Sequence, residues 1–251
     1  LHEDKLLPNS LRYRKKFIYR VQSIDFIHFF CIMIILNIDT SVDQGSFCIC
    51  RGKDVIAFDK NEERNSLAGW LHDAIHNALK KSDLQAQQLS AIAVSNGPGS
   101  YTGLRVGLAT AKGLCYALNV PLICINTLEI MAYAVAGAAK ELICPMIDAR
   151  RMEVFTALFK KNMDIYREPF ATILTAESFA DTLSAHHILF TGNGARKLEP
   201  IIENNHASFI YKNIDAYDMI PLSTQLYNEK KFADVAYEQP YYVKDAYIAG
   251  N

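Results

Sequence analysis

The residues best placed to do chemistry lie in one glycine-rich string, Asn96-Gly97-Pro98-Gly99-Ser100-Tyr101-Thr102-Gly103-Leu104-Arg105-Val106-Gly107. Gly97, Gly99 and Gly103 allow a tight turn and a close backbone approach, and Ser100 or Thr102 can cap a helix that follows. A loop feeding a helix N-terminus presents free N–H groups and the positive end of the helix dipole, which suits an anion, and Arg105 adds a cation nearby. The string is not a P-loop, because no Lys-Ser/Thr pair follows at Walker spacing, and it is not G-x-S-x-G. It reads either as an anion loop or as a plain capped turn.

A second candidate is His72-Asp73-Ala74-Ile75-His76, with two histidines four residues apart. Such a pair can chelate zinc on one helix face, but hydrolysis needs a third ligand and a glutamate, and Asp73 is one methylene short. Leu71 and Ile75 mark the apolar face, which puts both histidines on its flank. The cysteines, Cys31, Cys48, Cys50, Cys115, Cys124 and Cys144, lie in apolar stretches with no C-x-x-C pair and no zinc spacing. They read as buried thiols of a reducing cytosol, so a cytoplasmic location is expected.

The elements that must position these groups follow from periodicity. Residues 34–39, 47–50 and 55–59 read as three strands joined by short turns, an antiparallel meander. Residues 66–81 carry Leu67, Trp70, Leu71, Ala74, Ile75, Ala78 and Leu79 at helical spacing, with Asn65 or Ser66 as N-cap. A strand over 91–96, a small-residue helix over 102–118, a strand over 121–125 and a helix over 128–138 complete a ribonuclease-H-like order. A weaker second pass gives strands over 142–147, 154–159 and 188–191 and helices over 176–184 and 195–203. The final third has less pattern.

Half of the 251 residues are apolar and the net charge is −1, so a sizeable core is expected, with no general attraction to nucleic acid or anionic membrane. Residues 1–32 are an outlier, holding Lys5, Arg12, Arg14, Lys15, Lys16 and Arg20 against Glu3, Asp4 and Asp25. The apolar run over 26–36 falls short of the roughly 20 residues that span a bilayer and lacks a small-residue cleavage site. Met33, which opens a core strand, is a candidate true start, making 1–32 an extension; 33–140 is then an N-terminal lobe and 141–251 a smaller, degenerate C-terminal lobe with a tail.

The string over 97–107, with its continuation Ala109-Thr110-Ala111-Lys112-Gly113-Leu114, resembles the G-P-G-S-[FY]-T-G-[LV]-R signature of the TsaB (YeaZ) family. Ile38-Asp39-Thr40-Ser41 resembles that family's opening, Ile147-Asp148-Ala149-Arg150 with Glu153-Val154 its middle motif, and Pro240-Tyr241-Tyr242-Val243-Lys244 its C-terminal tail. The resemblance implies an α/β fold of two ribonuclease-H-like lobes, the actin-like ATPase architecture with mixed sheets flanked by helices. It also implies kinship with TsaD, the peptidase M22-like synthase subunit that transfers a threonylcarbamoyl group from its adenylate to N6 of the adenosine beside the anticodon. TsaB is the partner of that subunit. A TsaE-type ATPase and, through the complex, tRNA are the further partners implied, with a homodimer open when the chain is alone.

TsaD carries an N-H-L-E-G-H type segment whose histidines bind its metal. The corresponding stretch here is Asn126-Thr127-Leu128-Glu129-Ile130-Met131, with Thr127 and Met131 at the ligand positions, which removes the metal pair. No catalytic residue and no cofactor of its own are therefore expected; ATP or ADP and metal would belong to the partner complex. In actin-like folds, loops such as Asp39-Thr40-Ser41 and Asp148-Ala149-Arg150 approach phosphates, and a segment such as Gly192-Asn193-Gly194 approaches adenosine. Asp39 and Asp148 serve equally as turn formers at strand ends, and Gly192 and Gly194 as an ordinary turn. Many relatives have His-Ser where this chain has Asn65-Ser66. The family pattern also implies that the helices beginning at 66 and 102 form a helical interface with the TsaD partner. Three functions follow: a noncatalytic supporting subunit, an independent actin-like ATPase or kinase, and an M22-type metallopeptidase resting on His72 and His76.

Overall fold

The computed structural model describes residues 33–42, 44–61 and 67–244. The extension over 1–32, Cys31, and the Asn65 and Ser66 caps lie outside the described residues.

Strand β1 (Ile34–Asp39) is fully buried, as its apolar run requires. It pairs antiparallel with β2 (Gly45–Arg51), which pairs antiparallel with β3 (Asp54–Asn61). On its other side β1 runs parallel to β4 (Ala91–Gly97), and β4 parallel to β5 (Leu122–Asn126). The sheet order is β3-β2-β1-β4-β5, with the expected antiparallel meander extended on the β1 side by two parallel strands. Helix α1 (Leu67–Lys81) buries Leu71 and Ile75 and leaves His72 and His76 exposed on the flank. Helix α2 (Tyr101–Leu118) packs on β4 through Leu104, Leu108, Ala111 and Cys115. Its small residues seat it close to the sheet.

The second sheet repeats the first. Strand β6 (Leu142–Asp148) pairs antiparallel with β7 (Glu153–Lys160) and parallel with β9 (Ile188–Thr191); β7 pairs with β8 (Ile165–Ile173), and β9 with β10 (Ala207–Ile210). The order β8-β7-β6-β9-β10 matches that of the first sheet, strand for strand. Helix α3 (Thr127–Tyr133) follows β5 and packs on β6, so the core between the two sheets is continuous, from Ile123 and Ile125 through Leu128 and Met131 to Ile143 and Ile147.

The weaker pass needs correction. The helix expected over 176–184 is α4 (Ala180–Ala185), because Phe179 sits in the left-handed region at φ 66° and breaks the run before it. The helix over 195–203 is α5 (Ala195–Leu198) followed by a 3-10 turn at Glu199–Ile201, where Pro200 interrupts the α pattern. Likewise α3 ends at Tyr133, and a 3-10 turn occupies Ala136–Ala138. Strands β8 and β10 and helix α6 (Ile220–Asn228) carry no periodicity that announces them. After α6, residues 232–244 form a strap across the first sheet: Ala233 N–H donates to the Leu122 carbonyl at 2.8 Å, and Tyr241 N–H to the Asn96 carbonyl at 2.7 Å.

Candidate functional site

The glycine-rich loop leaves β4 and enters α2 against the end of β1. Ser100 caps the helix, its hydroxyl accepting from Gly103 N–H at 3.3 Å. Ser100 N–H donates to the Ser41 carbonyl at 2.7 Å, and the Thr40 hydroxyl donates to the Gly103 carbonyl at 2.8 Å. A Cβ at Gly99 would lie 2.1 Å from Ser41 O, one at Gly103 2.0 Å from Thr40 O, and one at Gly107 2.2 Å from the Thr40 hydroxyl. Gly97, at φ 118°, has Tyr241 O 2.3 Å from its Cβ position. The glycines thus serve backbone contacts with the β1 loop and the strap.

Asp39 is fully buried behind this loop. One carboxyl oxygen accepts from Ser41 N–H at 3.0 Å, the Ser41 hydroxyl at 2.6 Å and the Ser95 hydroxyl at 2.5 Å. Its other oxygen has no hydrogen-bond partner. Burial pushes its pKa above the ordinary carboxylate value; the bonds from Ser41 and Ser95 oppose that and nearby Asp215 adds to it. Asp148 is partly exposed: Arg150 N–H donates to its carboxylate at 2.6 Å, Lys197 pairs with it, and its own N–H donates to Asn193 Oδ1 at 2.8 Å. Arg150 and Arg151 both adopt left-handed φ, 72° and 48°, in the tight turn between β6 and β7.

These loops face one another across a cleft of about 590 Å³ between the two sheets. Thr40, Ser41, Gly99, Ser100, Tyr101, Thr102, Gly103, Asp148, Arg150 and Asn193 line it. Gly97, Pro98 and Arg105 are not among its lining residues, nor are Asp39, Gly192 and Gly194. Gly192, at φ 94°, and Gly194 pack instead against Met146 of β6, the first with 2.4 Å from its Cβ position to the Met146 carbonyl. They form a packed turn, with Asn193 between them turned to the cleft. Sequence reasoning named Asn193 only within the Gly192-Asn193-Gly194 segment and passed over Lys197, for which the cation four residues after Asn193 was the available signal.

The positions of the metal pair do not fit a metal. Thr127 is fully buried, with a hydroxyl that finds no partner, and Met131 is 3% exposed, its methyl group 2.1 Å from where a Gly192 Cβ would stand. Both are walls of the core. The flank pair is no better placed: His72 Nε2 lies 3.5 Å from the Thr110 hydroxyl, and among the described residues no group of three or more His, Cys, Asp or Glu could hold a metal. No described helix is long and apolar enough to cross a membrane.

Residues 64–248 match the family described as TsaD: tRNA N6-adenosine threonylcarbamoyltransferase. The tRNA threonylcarbamoyladenosine biosynthesis protein TsaB of Bacillus subtilis (strain 168) is 38% identical over 128 residues, a match that covers 51% of this chain and 56% of that relative. The protein of the same description from Escherichia coli (strain K12) is 25% identical over 225 residues, covering 85% of this chain and 95% of the relative. The solved structure of YeaZ from Pseudomonas aeruginosa superposes with a TM-score of 0.71 at 21% identity, covering 84% of this chain and 99% of that one, which establishes a shared two-lobed fold. On the family match, the shared fold and the four ordered motifs, the chain belongs to the tRNA N6-adenosine threonylcarbamoyltransferase family and, within it, to the TsaB (YeaZ) group.

Proposed function

We propose that the chain is a noncatalytic subunit of the bacterial tRNA N6-threonylcarbamoyladenosine synthase, one that binds and supports a TsaD-type catalytic subunit. The observation that carries this is the pair Thr127 and Met131: where the related catalytic subunit needs metal ligands, this chain has a buried hydroxyl and a buried thioether built into its core. Transfer chemistry, metal and ATP or ADP then belong to the rest of the assembly, which includes a TsaE-type ATPase and meets tRNA. The partner surface is the outward side of α1 and α2. On α2 it runs through Thr102, Arg105, Ala109, Gly113 and Tyr116, all exposed, with a Cβ at Gly113 meeting nothing within 4 Å. Small residues at that spacing let another helix approach closely. A second copy could occupy the same face when the chain is alone. The cytoplasm suits the thiols, which burial pushes up to about 12 at Cys48, Cys115 and Cys144.

The test mixes the chain with the TsaD-type and TsaE-type subunits from the same source, tRNA, threonylcarbamoyl-adenylate and ATP, and scores modified adenosine. Product that requires the chain, with none made by the chain alone, is the expected result. Product unchanged by its omission, with no association between subunits, overturns the proposal. The cleft, which gathers Thr40, Ser41, Asp148 and Arg150, supports one other reading, an independent actin-like ATPase. ATP turnover by the isolated chain would favour it.

A further inference from the structure

The first turns of α2 carry a short stack of aromatic and cationic groups. The Arg105 guanidinium lies 3.8 Å from the centre of the Tyr101 ring. Tyr242, from the strap, sets its ring 5.6 Å from the same ring at an interplanar angle of 31°. Stacking on an aromatic face limits the rotamers of a long side chain and leaves the N–H edge of the guanidinium for an acceptor. Arg105 is exposed, does not line the cleft, and has no ion pair among the described residues.

The other cation of α2 is already committed. Lys112 Nζ donates to the carbonyls of Ala236 at 3.2 Å and Glu238 at 2.9 Å, fastening the strap to the helix. No residue of α2 is acidic. Its outward face therefore offers an approaching molecule a near-flat strip at Ala109 and Gly113, an 85% exposed Tyr116 at one end, and a single pre-ordered cation at the other. A phosphate backbone would call for several such cations along its path, whereas one guanidinium beside a small-residue strip matches one carboxylate on a helix.

We propose that Arg105, stacked on Tyr101 and braced by Tyr242 of the strap, is the charged anchor of the α2 docking face and takes a carboxylate from a helix of the catalytic subunit. This rests on the supporting-subunit reading above. It assigns the strap a role as well: Tyr242 holds Tyr101, Tyr101 holds Arg105, and the strap thereby sets the geometry of the docking surface. Arg105 is a binding residue, and Tyr242 a positioning residue that acts through it.

The experiment measures the affinity of the full chain for the TsaD-type subunit of the same source by biolayer interferometry, at low and high salt. Variants are Arg105→Glu, Arg105→Lys, Tyr242→Ala and the double variant Arg105→Glu/Tyr242→Ala, each checked by thermal melting. A desolvated interfacial ion pair predicts that Arg105→Glu weakens binding by about tenfold or more, while Arg105→Lys, which keeps the charge but loses the stacked planar fork, falls between Arg105→Glu and the natural chain. The affinity of the natural chain should fall with salt more steeply than that of Arg105→Glu. Because Tyr242 acts through Arg105, Tyr242→Ala should weaken the natural chain and cost nothing further in the Arg105→Glu background.

If Arg105→Glu does not fold, Arg105→Gln replaces it with the same expectation in direction. Binding by Arg105→Glu within about twofold of the natural chain overturns the anchor. Fully additive losses for Arg105 and Tyr242 overturn the bracing role. If Arg105→Glu instead loses affinity for tRNA added to the chain alone, with subunit binding unchanged, the surface reads nucleic acid and the proposal fails. No binding by the natural chain itself would overturn the underlying subunit reading, a result distinct from a failure of the anchor.

Discussion

Ser100 donates its main-chain N–H to the carbonyl of Ser41 across 2.7 Å, and this bond fixes the start of α2 to the end of β1. The Thr40 hydroxyl repeats the link at 2.8 Å to Gly103 O. A helix N-terminus normally leaves its first N–H groups for a ligand or water. Here one of them is met by the Ser100 side chain, and Ser100's own N–H by the neighbouring loop. The glycine string is built first for backbone contact, and what remains open to the cleft is the edge of that contact.

That construction makes the glycines unequal. A methyl group at Gly99 or Gly103 would meet carbonyl oxygens at 2.1 and 2.0 Å, which neither backbone can yield without parting the two loops. Gly99→Ala and Gly103→Ala should each destabilise the chain by about 1–3 kcal/mol, the range for overpacking a well-packed site. Gly113→Ala is the control: its methyl meets nothing, and replacing a helical glycine should stabilise by about 0.8 kcal/mol. Urea denaturation of the three variants checks both signs, and equal effects at all three positions would contradict the contact argument.

Gly192 separates packing from adenosine recognition. Its φ of 94° and the Met146 carbonyl 2.4 Å from its Cβ position leave no room for a side chain. Gly192→Ala should lower stability by more than the about 1 kcal/mol of a simple conformational penalty, because a steric clash is added to it. ATP, at a concentration that would saturate an actin-like site, should leave the melting temperature of the natural chain unmoved. A melting temperature that rises with ATP would restore a nucleotide role for this turn.

Asp39, fully buried, contributes to the pH dependence of stability. Burial raises the folded pKa of Asp39 above the ordinary carboxylate value, so the folded chain holds that proton more tightly than the unfolded chain. Its contribution is fully present below the ordinary carboxylate value and is lost as pH rises through the raised folded value. Asp39→Asn keeps an oxygen to accept from Ser41 and Ser95 without the charge. It should be more stable than the natural chain at neutral pH, with the difference closing in acid. The urea midpoint of both proteins against pH tests this; an Asn variant that is weaker at neutral pH would show that the serine bonds hold the carboxylate ionised.

How far the sequence could be read depended on burial. Strands β1, β4 and β6 are continuous apolar runs because both faces are covered, and their positions are plain from residue type alone. Strand β8, Ile-Tyr-Arg-Glu-Pro-Phe-Ala-Thr-Ile, is exposed through its first four residues and holds Pro169. Such a sequence is tolerated because β8 is an edge strand whose pairing with β7 shifts register around that proline. Phe179 could not be foreseen as a helix breaker, since packing between Phe170 and Phe190 holds it in a conformation a bulky residue disfavours on its own. At the site, the Ser100 cap was legible from its type and place. The direction of Arg105 was not, although Tyr101 and Arg105 stand four apart on one helix, the spacing at which side chains meet.

The strap offers a last test that needs no partner. Residues 232–244 have no helix or strand of their own, and their order depends on bonds to groups that belong to the first sheet and α2. Lys112 supplies two of those bonds from the middle of α2, and its substitution by methionine keeps the stem while removing both donors. Segments held by few bonds open first, well below the free energy of global unfolding. In Lys112→Met, backbone amide exchange should therefore rise across the strap, at Tyr241 above all, while exchange in β1 and β4 is unchanged and the denaturation midpoint moves little. Mass-spectrometric hydrogen exchange resolves the two regions. Exchange that rises equally in the strap and in the core strands would mean that Lys112 holds the whole lobe together, and that the strap is not a separable element.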